Sequence, residues 1–71
     1  MKYTYRIEEL DCPHCAAKVE EAINKLDGVE KANVNYLSEK IVVVSEMDED
    51  DLFENIVKIA KRVEPDAVVT R

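Results

Sequence analysis

Ile41-Val42-Val43-Val44 is wholly β-branched and shows no alternation of polar and apolar residues, which predicts a strand in the middle of a sheet rather than at its edge. Just upstream, Ala32, Val34 and Tyr36 alternate with Lys31, Asn33 and Asn35, the period-2 pattern of a neighbouring strand, and Leu37-Ser38-Glu39-Lys40 reads as the turn between the two. Just downstream, Asp48 is a suitable N-cap, and Glu49, Asp50 and Asp51 stand where a helix dipole favours anions. Leu52, Ile56, Ile59 and Val63 form the buried stripe of that helix, with Phe53, Val57 and Ala60 beside it. Lys58, Lys61 and Arg62 lie toward its negative end, and Pro65 stops it.

Further out, the ends of the chain repeat the scheme. Tyr3, Tyr5 and Ile7 alternate with Lys2, Thr4, Arg6 and Glu8 to predict a first strand. From Cys15 onward, Ala16, Val19, Ala22, Ile23 and Leu26 fall at helical spacing, with Lys18, Glu20, Glu21, Asn24 and Lys25 on the other side. Gly28 supplies the left-handed position that ends many helices. Asp66 to Arg71 is a short, weakly patterned last strand expected at an edge. The order is strand, helix, strand, strand, helix, strand, the ferredoxin-like α+β sandwich: a four-stranded antiparallel sheet with two helices on one face. Right-handed crossovers in both halves place the first and third strands at the centre. They also bring the Asp11-to-Cys15 loop and the Glu64-Pro65-Asp66 connection to the same end of the sheet.

At 71 residues the chain is expected to be one domain, 1–71, burying only about 60% of its unfolded surface. That leaves no room for a large catalytic cleft, and the domain is expected to be non-catalytic. A net charge of −6 disfavours nucleic acid and anionic membrane surfaces and suits cations or a basic partner. No apolar run approaches the ~20 residues of a membrane span, and no secretory signal is present, so a cytosolic monomer without membrane insertion is expected.

The chemistry is concentrated in Leu10-Asp11-Cys12-Pro13-His14-Cys15, which holds both cysteines and the single histidine. A disulfide across two residues closes too small a loop to restrain the unfolded chain much, and a reducing cytosol keeps thiols free for metal. A helix N-terminus lowers a thiol pKa, which points to Cys15 as the readily ionised cysteine, and Cys12 is near enough to share a soft ion with it. Asp11 is the natural third ligand, with a helix cap as its competing role. Glu64 and Asp66, from the facing connection, are further oxygen donors, although solvated loop carboxylates suffice to explain them. His14 is expected to turn outward when Cys15 turns inward, because adjacent helical residues point about 100° apart. Pro13 suits the first turn of a helix, and Leu10 is expected to pack beneath the loop.

Leu10-Asp11-Cys12-Pro13-His14-Cys15-Ala16-Ala17-Lys18-Val19-Glu20 resembles the metal-binding segment of heavy-metal-associated domains. That family comprises small metallochaperones and N-terminal modules of metal-exporting P-type ATPases, and the resemblance implies Cys12 and Cys15 as metal ligands. Leu10-Asp11 is similar to the zinc-, cadmium- and lead-handling branch, where copper(I) members usually carry Met-Thr or Met-Ser. It implies a zinc or cadmium ion, with lead or copper(I) as alternatives. The implied partner is the core of a metal-transporting P-type ATPase or another metal-binding domain. Zinc prefers about four ligands and accepts carboxylate oxygen beside sulfur, whereas two thiolates satisfy copper(I), so Asp11, Cys12 and Cys15 together suit a divalent ion. Two rivals stand beside this expectation. One is a copper(I) chaperone on the same fold. The other is a thiol-disulfide oxidoreductase, since Cys-Pro-His-Cys is also the active-site sequence of strongly oxidising thioredoxin-like proteins.

Overall fold

The computed structural model describes residues 1–10 and 12–71. The elements are β1 (Lys2–Glu8), α1 (Pro13–Asn24), β2 (Val29–Asn35), β3 (Lys40–Ser45), α2 (Glu49–Val63) and β4 (Val68–Thr70). The sheet order is β2-β3-β1-β4, antiparallel throughout, so the β-branched run does occupy a central strand. This is the expected ferredoxin-like arrangement, with both helices on one face.

Pairing of Glu8 with Val68 and of Arg6 with Thr70 carries the end of β1 past the start of β4. The core lies between the sheet and the helices. Tyr5 and Ile7 from β1, Ile41 and Val43 from β3, Val19 and Ile23 from α1, and Leu52 and Ile56 from α2 meet there, all buried. The continuous run in β3 is nevertheless covered on one side only. Ile41 and Val43 are buried, whereas Val42 and Val44 are half-buried on the open face.

Four details depart from the sequence reading. The turn into β3 spans residues 36–39, one residue earlier than expected. Asn35 Oδ1 accepts from the amides of Leu37 and Ser38, and Glu39 takes the left-handed conformation. Gly28 has a φ of 93°, but it lies three residues beyond the α1 C-cap, Lys25, in the turn that feeds β2. A Cβ on Gly28 would come 2.7 Å from Met47 Cγ. Glu20 and Asn24, expected to face solvent, instead tie α1 to β2. Glu20 accepts from the amide of Val34 at 2.8 Å, and Asn24 both accepts from the Ala32 amide (2.9 Å) and donates to the Ala32 carbonyl (3.2 Å). Finally, Asp48 is the N-cap of α2 as expected, yet its side chain makes no capping hydrogen bond. The acidic first turn and Lys61 and Arg62 in the last turn follow the dipole. The helix stops before Pro65 because a residue preceding proline is driven out of the helical region, and Glu64 is accordingly extended (φ −138°, ψ 103°).

Candidate metal centre

The loop that carries the cysteines is positioned from both sides. Glu9, with φ 65°, makes a left-handed turn out of β1, and Leu10 follows, buried in the core as expected. On the other side, Pro13 begins α1, where its fixed φ suits the helix and its missing N–H costs nothing. Cys12 is therefore the N-cap, in extended conformation (φ −98°, ψ 122°), and its carbonyl accepts the first helical bond, from the Ala16 amide at 3.0 Å. Cys15 lies three residues on, within the first turn. Cys12 is exposed, Cys15 is half-buried against the core, and both thiols are free. The two cysteines are close together, near enough for their sulfurs to share a hydrogen bond.

This geometry reverses the expected order of ionisation. The Cys12 thiol is lowered from its ordinary value, first by the amide of Cys15, then by that of His14, and then by the Cys15 thiol donating to it. The neutral side chain makes no strict capping bond, but those amides are free helix N-terminal donors that face the sulfur, and they favour its anion. Cys15 is raised. Its proton is held by Cys12, burial disfavours its thiolate, and the charges of Cys12 and Glu64 oppose a second anion. The N-cap, not the first-turn position, collects the orphan amides, so Cys12 is the cysteine that ionises first. Lys18 favours both thiolates by its charge. Its i to i+3 spacing from Cys15 places the two on one helix face, the signal in the sequence that marks it.

The other residues singled out in the sequence are distributed as follows. Asp11 lies outside the described residues. His14 is exposed, consistent with its turning outward. Glu64, the C-cap of α2, is half-buried, and its charge is among those that raise the Cys15 thiol. The amide of Asp66 donates to Glu64 Oε1 at 3.3 Å, and the Asp66 side chain is exposed. Lys61 Nζ donates to the Ala67 carbonyl at 3.2 Å, and Ala67 itself is fully buried. Among the described residues, no three His, Cys, Asp or Glu side chains converge to hold an ion. Two adjacent free thiols, one of them open to solvent, can take a soft cation, losing their protons to water as the sulfur–metal bonds form.

Comparison with known proteins points the same way. The family model for the heavy-metal-associated domain matches residues 4–67. Over 61 residues, 86% of the chain, there is 41% identity with a cadmium, zinc and cobalt-transporting ATPase of Helicobacter pylori. The match covers 8% of that transporter, so the chain spans less than a tenth of the curated ATPase's length. Copper chaperone CopZ of Enterococcus hirae is 40% identical over 43 residues, which is 61% of the chain and 62% of the chaperone. Among solved structures, the N-terminal domain of ZntA in the apo form superposes with a TM-score of 0.75 at 26% identity, covering 96% of this chain and 86% of that one.

Proposed function

The chain belongs to the heavy-metal-associated domain family, and on that premise we propose that it carries a zinc-group divalent cation, zinc or cadmium, between partners by ligand exchange. Residues 1–71 form the carrying domain. Cys12 and Cys15 supply the two sulfurs and Asp11 the oxygen, with a coordination position left for water or a donor from the partner. The observation that supports this best is the pairing of a thiol favoured as thiolate at the N-cap with a second thiol three residues on. Such a pair loses its protons to solvent as the two sulfur–metal bonds form, Cys12 ahead of Cys15. The cation is cargo, and the domain catalyses no reaction of its own. Asp11 directly before Cys12 and the likeness to cadmium- and zinc-transporting ATPases favour a divalent ion over copper(I). The domain then serves as a delivery or regulatory module of a metal-exporting P-type ATPase at the cytosolic face, or as a freestanding chaperone. Copper(I) is the second reading, favoured by the likeness to CopZ and by the two-coordinate preference of that ion. The thioredoxin-like reading requires a different fold from the one found.

Competition binding on the reduced protein tests the proposal. Cys12→Ser and Cys15→Ser are each expected to abolish tight zinc binding while circular dichroism still reports the fold. Either variant binding zinc like the parent would sink the two-thiolate site. Asp11→Ala is expected to weaken zinc by more than the ~10–100-fold seen when outer-shell partners are lost, and copper(I) far less. Equal losses for both ions would remove the argument for a divalent cargo.

A further inference from the structure

The face of the sheet turned away from the helices has a charge opposite to the rest of the molecule. Residues in register across β1, β3 and β2 form rows on it: Lys2, Val44 and Lys31 in one, Thr4, Val42 and Asn33 in the next. A third row pairs Arg6 with Lys40 and Asn35. Lys2, Arg6, Lys31 and Lys40 are four of the ten basic side chains of the chain; Glu8 shares this face, Glu39 reaches it through Arg6, and Glu30 lies at the register shift beside Lys31. Arg6 is neutralised locally by Glu8 at 3.0 Å and Glu39 at 3.6 Å. Among the described residues, Lys2, Lys31 and Lys40 have no ion-pair partner, although carboxylates outnumber basic groups. Between the first two rows runs a shallow depression of about 370 Å³, floored by the half-buried Val42 and Val44 and bordered by Lys2, Lys31 and Asn33.

We propose that this basic, valine-floored trough is a docking surface for an acidic, extended polypeptide segment. Lysines flanking an apolar floor match an extended peptide whose down-facing side chains alternate between an aliphatic one on the valines and carboxylates that reach the lysines, with Asn33 able to bond its backbone. Charge complementarity selects the occupant. A polyanion large enough to wrap the molecule, such as nucleic acid or an anionic bilayer, meets the acidic helical side and is repelled by the net −6. A short segment confined to one face meets only the lysines. The trough is on the opposite side of the sheet from the helices, and its Lys2–Val44–Lys31 row sits at the end of β1 remote from the cysteine loop. A segment held there leaves Cys12 and Cys15 uncovered. The inference stands independently of which metal is carried.

The test is an NMR titration of the chain with a glutamate- and valine-rich peptide about eight residues long, enough to follow one strand at ~3.4 Å per residue. Saturable shifts are expected at Lys2, Lys31, Asn33 and the Val42 and Val44 methyls, weakening as salt screens the lysines. In Lys2→Glu/Lys31→Glu/Lys40→Glu, whose altered side chains are all exposed, affinity is expected to fall by at least about tenfold, with the amide spectrum of the core unchanged. A Lys→Gln triple variant separates charge from side-chain bulk and is expected to lie between. Shifts confined to the helices or the cysteine loop, or equal affinity in parent and reversed variant, would overturn the proposal. So would binding to phosphatidylserine vesicles or single-stranded DNA with none to the peptide, or concentration-dependent shifts on the same face without peptide, which would mark a second copy as the occupant.

Discussion

The two ends of the sheet are built on different principles. At the end remote from the cysteines, polar groups are locked together. The buried Ser45 hydroxyl donates to the Gly28 carbonyl at 2.8 Å and accepts from the Met47 amide at 3.0 Å. The Ser45 amide donates to the Met1 carbonyl at 2.8 Å, and the Glu46 amide donates to Gly28 at 3.1 Å. At the cysteine end, Leu10 and Ala67 bury apolar side chains beneath loops whose polar atoms largely face water. The Cys12 thiol is lowered there by the amides of Cys15 and His14, by the Cys15 thiol and by Lys18. The comparison teaches that the domain keeps its buried polar ties away from the loop that carries its thiols.

The sharpest way to break this contrast is at the locked end. Ser45→Ala leaves the Met47 amide without its partner in a buried place and is expected to cost about 1–3 kcal/mol. Gly28→Ala combines a strained positive φ with a close approach to Met47 and is expected to cost about 1–2 kcal/mol. Both should lower the apo melting temperature and leave zinc affinity unchanged once the chain is folded. Affinity that dropped in step with stability would show the two ends to be coupled. A smaller effect is expected at the cysteine end. Glu64→Gln removes one of the charges that hold the Cys15 thiol up, so Cys15 should alkylate faster relative to Cys12 at mildly alkaline pH, with no change in melting temperature. A constant ratio of the two alkylation rates, read by mass spectrometry, would detach Glu64 from the site.

The smallest effect sharpens the contrast from within the core. Tyr5 is pushed up to about 12 by burial, aided by the Glu49 carboxylate, to which its hydroxyl donates at 3.5 Å. The folded chain thus keeps a proton that the unfolded chain releases near 10, so this contribution to stability is lost as pH rises from about 10 toward 12. Tyr5→Phe is expected to flatten melting temperature against pH in that window. An unaltered slope would assign it to other groups.

Much of this architecture was legible in the sequence because it rests on periodicity. Tyr3, Tyr5 and Ile7 at alternate positions and Leu52, Ile56 and Ile59 at helical spacing specify which face each element buries, and the topology follows from their order. The features that were not legible depend on where a chain end points. Glu20 and Asn24 have the spacing of a solvent face, but the edge of β2 comes within their reach. Which cysteine ionises first depends on whether α1 begins at Pro13 or later, a shift of two residues that moves the free amides from one sulfur to the other. Glu9 gives no sign of its left-handed turn, since glutamate has no preference for it. That the 64–66 connection lies at the same end of the sheet as the cysteine loop, by contrast, follows from the pairing of β1 with β4.

The ties from α1 to β2 also decide how this molecule meets others. An outer strand with free amides and carbonyls is a template on which a foreign strand can extend the sheet, and such unions are slow to undo. Here the Ala32 amide and carbonyl and the Val34 amide already have partners in Asn24 and Glu20, and the strand on the opposite margin is only three residues long. Among the described residues, one margin is thus partly occupied and the other short, which leaves a foreign strand little ladder to climb. Contacts made through faces and loops form and dissolve without backbone exchange.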